Sequence, residues 1–136
     1  MRWVINLLVA VSVGYSLSIV INASVSASTL VGFGIEVSLS DRLDMISKDW
    51  VGLGTIYLPL YLILHAICFW LLGLVLRNRA VTTVIARVTY AVIGALSLMA
   101  FYLSFDAVMG SGGVVVASTR TMAGLFAHAA TGAVSG

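Results

Sequence analysis

Charge is what this sequence has least of. Asp, Glu, Lys and Arg make up 9% of its 136 residues, against about 25% in an ordinary soluble domain. So few charges cannot cover a water-facing fold of this size, and with 61% hydrophobic residues the composition is that of an integral membrane protein. Other scarcities close off further classes. The single cysteine, Cys68, rules out an intramolecular disulfide, and inside an apolar run it reads as a small hydrophobe. The net charge of +2, with no basic cluster, argues against nucleic-acid binding. There is no HExxH, no CxxC, no nucleotide-binding glycine loop, no interfacial Ser/His/Asp set and no row of arginines like a voltage sensor. Residues 1–136 leave room for one domain. At about 20 residues per span, four spans exhaust the chain and leave nothing for a soluble catalytic domain.

What is present is a set of apolar runs. They predict helices over about 3–22, 52–76, 84–105 and 121–136. The fold class expected is an all-α integral membrane protein: a four-transmembrane-helix bundle with a short amphipathic interfacial helix between helices 1 and 2. The first run resembles a secretory signal, but its apolar part, Trp3 to Ile21, exceeds the roughly 7–15 residues of a signal core. It is therefore read as a span. Asn6, Ala10, Gly14, Ser18 and Asn22 fall four apart on it and share one face.

Residues 23–50 differ. Glu36, Asp41, Asp44 and Asp49 lie here with Arg42 and Lys48. The stretch LSDRLDMISKDW reads as an amphipathic helix lying on the membrane, capped by Ser40 or Asp41, with Leu39, Leu43 and Ile46 on its apolar side. Trp50 suits the interface. Pro59, the only proline, falls inside the second run, where it is expected to kink the helix. On the third run Arg87, Tyr90, Gly94, Ser97, Phe101 and Ser104 keep a 3–4 spacing, and Asp106 closes it. Residues 109–121 read as a flexible loop or short re-entrant piece. The fourth run carries Gly124, His128, Gly132 and Gly136 four apart, a GxxxG-type stripe. Gly14, Gly94, Gly124 and Gly132 are the expected helix-packing positions. The fourth run is short for a span, which implies that the natural chain continues past Gly136 or that the helix is partly re-entrant; the first is preferred.

Orientation follows from Lys and Arg near span ends. Arg2, Arg77, Arg79 and Arg87 fall on one side, and Arg42, Lys48 and Arg120 on the other. The N-terminus and the 77–87 connection are placed in the cytoplasm, and compactness suggests a bacterial-type inner membrane.

One residue sits against the grain. His65, in YLILHAICFW, falls near the middle of the second span, on a stripe with Tyr57, Tyr61 and Cys68. His128 is the only other histidine. Ionisable groups inside a membrane are functional candidates by default. A neutral ring satisfied at a helix–helix seam is the plainer reading, and His65 is expected to face protein and to hydrogen-bond a polar group on another helix. Axial ligation of a b-type haem by His65 and His128 is the sharper one. It demands equal depth, yet a fourth helix starting at Thr121 puts His128 about 11 Å in, against about 20 Å for His65. The halves of the chain do not repeat, unlike an inverted-repeat transporter. The expected function is that of a small non-enzymatic polytopic protein acting by helix association, as an accessory subunit or a self-assembling bundle, with lipid and copies of itself or a larger complex as partners and no cofactor. The alternative is a redox or transport protein using His65 and His128, by haem ligation or a proton or substrate pathway.

Overall fold

The computed structural model describes residues 2–109 and 117–136, and residues 110–116 of the loop expected at 109–121 lie outside them. Within the described residues the chain is all-helical: α1 (Arg2–Gly32), α2 (Leu39–Gly54), α3 (Tyr57–Arg77), α4 (Thr83–Met109), a 3₁₀ turn (Ala117–Arg120) and α5 (Met122–Ser135). By length and composition α1, α3 and α4 are able to cross a membrane. The 14 residues of α5 cover about 21 Å, short of a hydrocarbon core of about 30 Å.

Large apolar side chains cover the surface, while a set of polar ones is buried among the aromatic and aliphatic core. Ile5, Val9, Val13, Ile63, Ile67, Leu71, Val88, Val92 and Leu96 are exposed, while Ser18, Asn22, His65, Ser118, His128, Thr131 and Ser135 are buried. Water would penalise that arrangement, and lipid favours it. In lipid, helices gain nothing by hiding leucine from leucine, so close packing and interhelical hydrogen bonds must hold them together.

Several boundaries differ from the sequence reading, each for a local reason. The first helix runs ten residues past Asn22. Its small polar residues look like loop but satisfy themselves on the helix: Ser24 donates to the Val20 carbonyl, Ser28 to that of Ser24 and Thr29 to that of Val25, at 2.7–2.9 Å. The helix ends in a left-handed glycine. Gly34, at φ +81°, places its N–H on the Val31 carbonyl, and the next N–H, of Ile35, reaches back to Leu30. α2 then starts on a capping box two residues before the cap expected. The Ser38 hydroxyl accepts the Asp41 N–H and the Asp41 carboxylate accepts the Ser38 N–H. α2 folds back antiparallel along the last turns of α1, tied there by Asn22 Nδ2 donating to Asp49 at 2.9 Å.

Pro59 does not kink a helix. It sits in the first turn of α3, where its missing N–H has no intrahelical partner to lose. In an unbroken helix its ring would clash with the Thr55 carbonyl, and the run beginning at Gly52 divides into the end of α2, a turn at Thr55 and Ile56, and α3. α4 continues past Asp106, which was expected to close it, to Met109.

α1 and α4 run antiparallel to α3 and to α5. Ser18 meets Tyr57 and a Cβ on Gly14 would strike the Tyr61 hydroxyl, while Phe69 packs edge-on to Tyr90 at 5.5 Å. The backbones of α4 and α5 approach closely. A Cβ built on Gly94 would overlap the Gly132 carbonyl, one on Gly132 the Gly94 carbonyl, and one on Gly136 the Tyr90 carbonyl. Only residues without a side chain allow such a crossing.

Candidate functional site

The inward face of α3 is Tyr57, Tyr61, His65 and Phe69, all buried and four apart. Three helices and the 3₁₀ turn present polar groups to it. The result is a hydrogen-bonded chain. Ser118 Oγ lies 2.7 Å from His128 Nε2, His128 Nδ1 lies 2.7 Å from Ser18 Oγ, and Ser18 Oγ lies 3.1 Å from the Tyr57 hydroxyl. That hydroxyl pairs in turn with the Tyr102 hydroxyl. One unbroken path thus joins the 3₁₀ turn, α5, α1, α3 and α4.

Every member of this path can both donate and accept. A neutral imidazole donates from one nitrogen and accepts at the other, and hydroxyls do either. The path therefore closes in both senses: Ser118 donates to Nε2 while Nδ1 donates to Ser18, or Ser18 donates to Nδ1 while Nε2 donates to Ser118. In both, His128 is fully satisfied although its exposure is 0%.

A second cluster lies alongside. The Tyr61 hydroxyl meets Ser135 Oγ at 2.9 Å, Ser135 also donates to the Thr131 carbonyl, and Thr131 donates to the His128 carbonyl. Towards α2, the Tyr15 hydroxyl donates to the Trp50 carbonyl at 2.7 Å, and the two rings meet edge-on.

His65 stands apart. Nδ1 lies 2.9 Å from the Tyr61 carbonyl oxygen; a carbonyl only accepts, so Nδ1 carries the proton. The partner is the backbone of its own helix, four residues back, and not a polar group on another helix as expected. The ring stacks on Tyr61 at 4.3 Å and meets the edge of Phe69. Nε2 is buried and has no hydrogen-bond partner among the described residues.

The two histidines are not arranged as a ligand pair. His128 is level with Tyr57, whereas His65 lies eight residues further along α3, about 12 Å. Both nitrogens of His128 are taken by serines, so a metal there would first have to displace one. Ser118 and His128 have the spacing of a nucleophile and its base, but the far nitrogen meets the Ser18 hydroxyl instead of an orienting carboxylate, and Ser118 is 1% exposed. Among the described residues no three His, Cys, Asp or Glu side chains gather as a metal site.

Of the residues singled out from sequence, the structure brings Tyr57 into direct hydrogen-bonded connection with His128 and joins Tyr61 to the neighbouring cluster. It leaves Cys68 half-buried at the edge of the core and buries Gly14, Gly94, Gly124 and Gly132. Sequence reasoning missed Ser118, which lies in a stretch read as loop, and Tyr102, which falls between the polar positions assigned to the third helix. The i,i+4 series Tyr90, Gly94, Leu98, Tyr102 would have found the latter. No protein-family model matches the chain, and no similar curated protein or solved structure is found.

Proposed function

We propose that the chain is a non-enzymatic membrane protein in which α1, α3 and α4 span the bilayer and α5 packs with them as the fourth helix of the bundle. It acts by association, as an accessory subunit of a larger membrane complex or as a self-assembling unit. The observation that carries this reading is the use made of the reactive groups. Ser18, Ser118, His128, Tyr57 and Tyr102 spend their hydrogen bonds on one another across four helices, and large apolar side chains dominate the surface that the long helices offer to lipid and partner helices. The N-terminus and the connection from Arg77 to Arg87 lie in the cytoplasm on this reading, since that end carries the denser positive charge.

The test is purification in mild detergent, with mass determination and an absorption spectrum on the same sample. The expected result is a particle larger than one 14.3 kDa chain, without a Soret band. A monomer at all protein concentrations, or a stoichiometric chromophore, would overturn the proposal.

A second reading has one observation in its favour. His65 presents a buried, uncommitted Nε2 while its Nδ1 is fixed by a backbone carbonyl. Ligating histidines are commonly oriented in this way. A redox or transport role would start from that nitrogen.

A further inference from the structure

A file of aromatic rings leads from the surface to the polar path. Trp50, near the end of α2, is 47% exposed. Its ring meets Tyr15 edge-on with centroids 5.7 Å apart, and Tyr15 lies 5.7 Å from Tyr57. Both tyrosines are buried. Such spacing is ordinary aromatic packing, but the hydrogen bonds distinguish Tyr57 from its neighbours. Its hydroxyl lies 3.1 Å from Ser18 Oγ, which lies 2.7 Å from His128 Nδ1. A neutral imidazole is a base, and a single hydroxyl relays the phenolic proton to it. The adjoining tyrosines have no such outlet. Tyr15 donates to the Trp50 carbonyl. The Tyr61 hydroxyl meets Ser135, which donates to the Thr131 carbonyl. An amide carbonyl accepts a hydrogen bond without taking the proton.

We infer that Tyr57 is a redox-active tyrosine, oxidised through Trp50 and Tyr15 and relieved of its proton by His128. The oxidant is an oxygen-centred radical at the exposed indole. It takes one electron from Trp50 and a proton from water, and leaves as an alcohol or hydroperoxide. Tyr57 returns one electron to Trp50 across the Tyr15 ring. The Tyr57 O–H bond breaks as its proton moves to Ser18 Oγ and the Ser18 proton moves to His128 Nδ1. The products are a neutral Tyr57 phenoxyl radical and an imidazolium whose Nε2–H stays on Ser118. The Tyr102 hydroxyl, paired with that of Tyr57, donates to the phenoxyl oxygen. The bundle thereby draws a radical from its surface to a buried ring. The inference goes beyond association and holds for a single copy of the chain.

The experiment is flash photolysis of the full chain in detergent, with tris(bipyridine)ruthenium and persulfate as the oxidising probe, read by freeze-quench electron paramagnetic resonance. A tyrosyl spectrum is expected. Its rise should slow in deuterium oxide, because a proton moves with the electron. Tyr57→Phe should abolish it and Tyr61→Phe should leave it. Trp50→Phe should also abolish it. Trp70→Phe removes a comparably exposed indole with no ring contact among the described residues, and should leave it. Ser18→Ala should strand the spin on Trp50 as a tryptophanyl signal. The deuterium effect is read on the parent, so an unstable Ser18→Ala does not leave the relay untested. A parent without a tyrosyl signal, a rise unchanged in deuterium oxide, or a signal that survives Tyr57→Phe, Trp50→Phe or a folded Ser18→Ala would overturn the inference.

Discussion

Replacing Gly132 with alanine should destabilise the bundle, although alanine is the better helix former. The new Cβ would sit 2.7 Å from the Gly94 carbonyl carbon, closer still to its oxygen, and 3.0 Å from Leu98 Cδ1. Non-bonded carbon atoms prefer about 3.5–4.0 Å, so α4 and α5 must separate by about 1 Å. The obstacle is backbone, which cannot rotate aside as a side chain can. Overpacking of this kind costs about 1–3 kcal/mol, offset by about 1 kcal/mol of helix propensity. Gly52→Ala is the control. Nothing lies within 4 Å of its Cβ, and only the propensity gain of about 0.5–1 kcal/mol remains. Unfolding in mixed micelles with rising dodecyl sulfate, followed by far-ultraviolet circular dichroism, reads both. The expected shifts are opposite in sign. If Gly132→Ala matched or exceeded the parent while Gly52→Ala gained, α4 and α5 would not cross at this glycine pair.

Ser18→Ala removes the hydroxyl that bridges His128 and Tyr57 and should cost about 1–3 kcal/mol in the same titration; a neutral outcome would mean that the path does not bind the helices together. His65→Phe keeps the stacking on Tyr61 and removes a buried nitrogen without a partner, so stability should change by less than about 1 kcal/mol; loss of the fold or of a bound chromophore would promote the ligand role of Nε2. Asn78→Cys, in a Cys68→Ser background, should resist a membrane-impermeant maleimide added to intact cells, and labelling would reverse the orientation. The last concerns pH. Hydrogen bonds from the Ser38 hydroxyl and then from its backbone N–H hold the Asp41 carboxyl below its ordinary value. The folded form is the stronger acid, so this support is complete above the unfolded value of 3.8 and disappears as pH falls through the lower folded value. Acidification below pH 4 should loosen the start of α2 in amide exchange, and Asp41→Asn should remove that step.

Much of the bundle was legible because its signals are periodic. The glycines on the fourth run and the tyrosines on the second fall at multiples of four residues, and the structure crosses its helices along those lines. The rest was hidden where a residue's local look opposes its setting. INASVSASTLVG has the small, polar composition of a connection, yet its hydroxyls fold back on carbonyls one turn earlier and the helix continues. Pro59 reads as a kink only when α2 and α3 are taken as one run. Ser118 lacks any periodic context of its own. Its role appears only when the 3₁₀ turn is folded over α5, ten residues away in sequence. Asn6 is the converse case: it shares the small-residue face read on helix 1 with Gly14 and Ser18, but it is exposed where they are buried.

The position of the polar path explains what it contributes. Ser18, Tyr57, Tyr102 and His128 meet at one level of the bundle, close to the start of α3, and do not form a column from one membrane face to the other. A column could move protons across the bilayer; a single layer cannot. A layer does something that apolar packing in lipid does poorly, which is to distinguish one register from the next. Sliding α5 by one turn, about 5.4 Å, would leave leucine and alanine in equally apolar surroundings. It would break both bonds of His128, each 2.7 Å long, and would drive the carbonyls of Gly94 and Gly132 past the only positions where they can lie so close. The histidine layer and the glycine crossing therefore fix the same register from two directions. One makes slippage leave buried polar groups unpaired, and the other makes it collide. That division of labour accounts for a fully buried histidine with two serine partners.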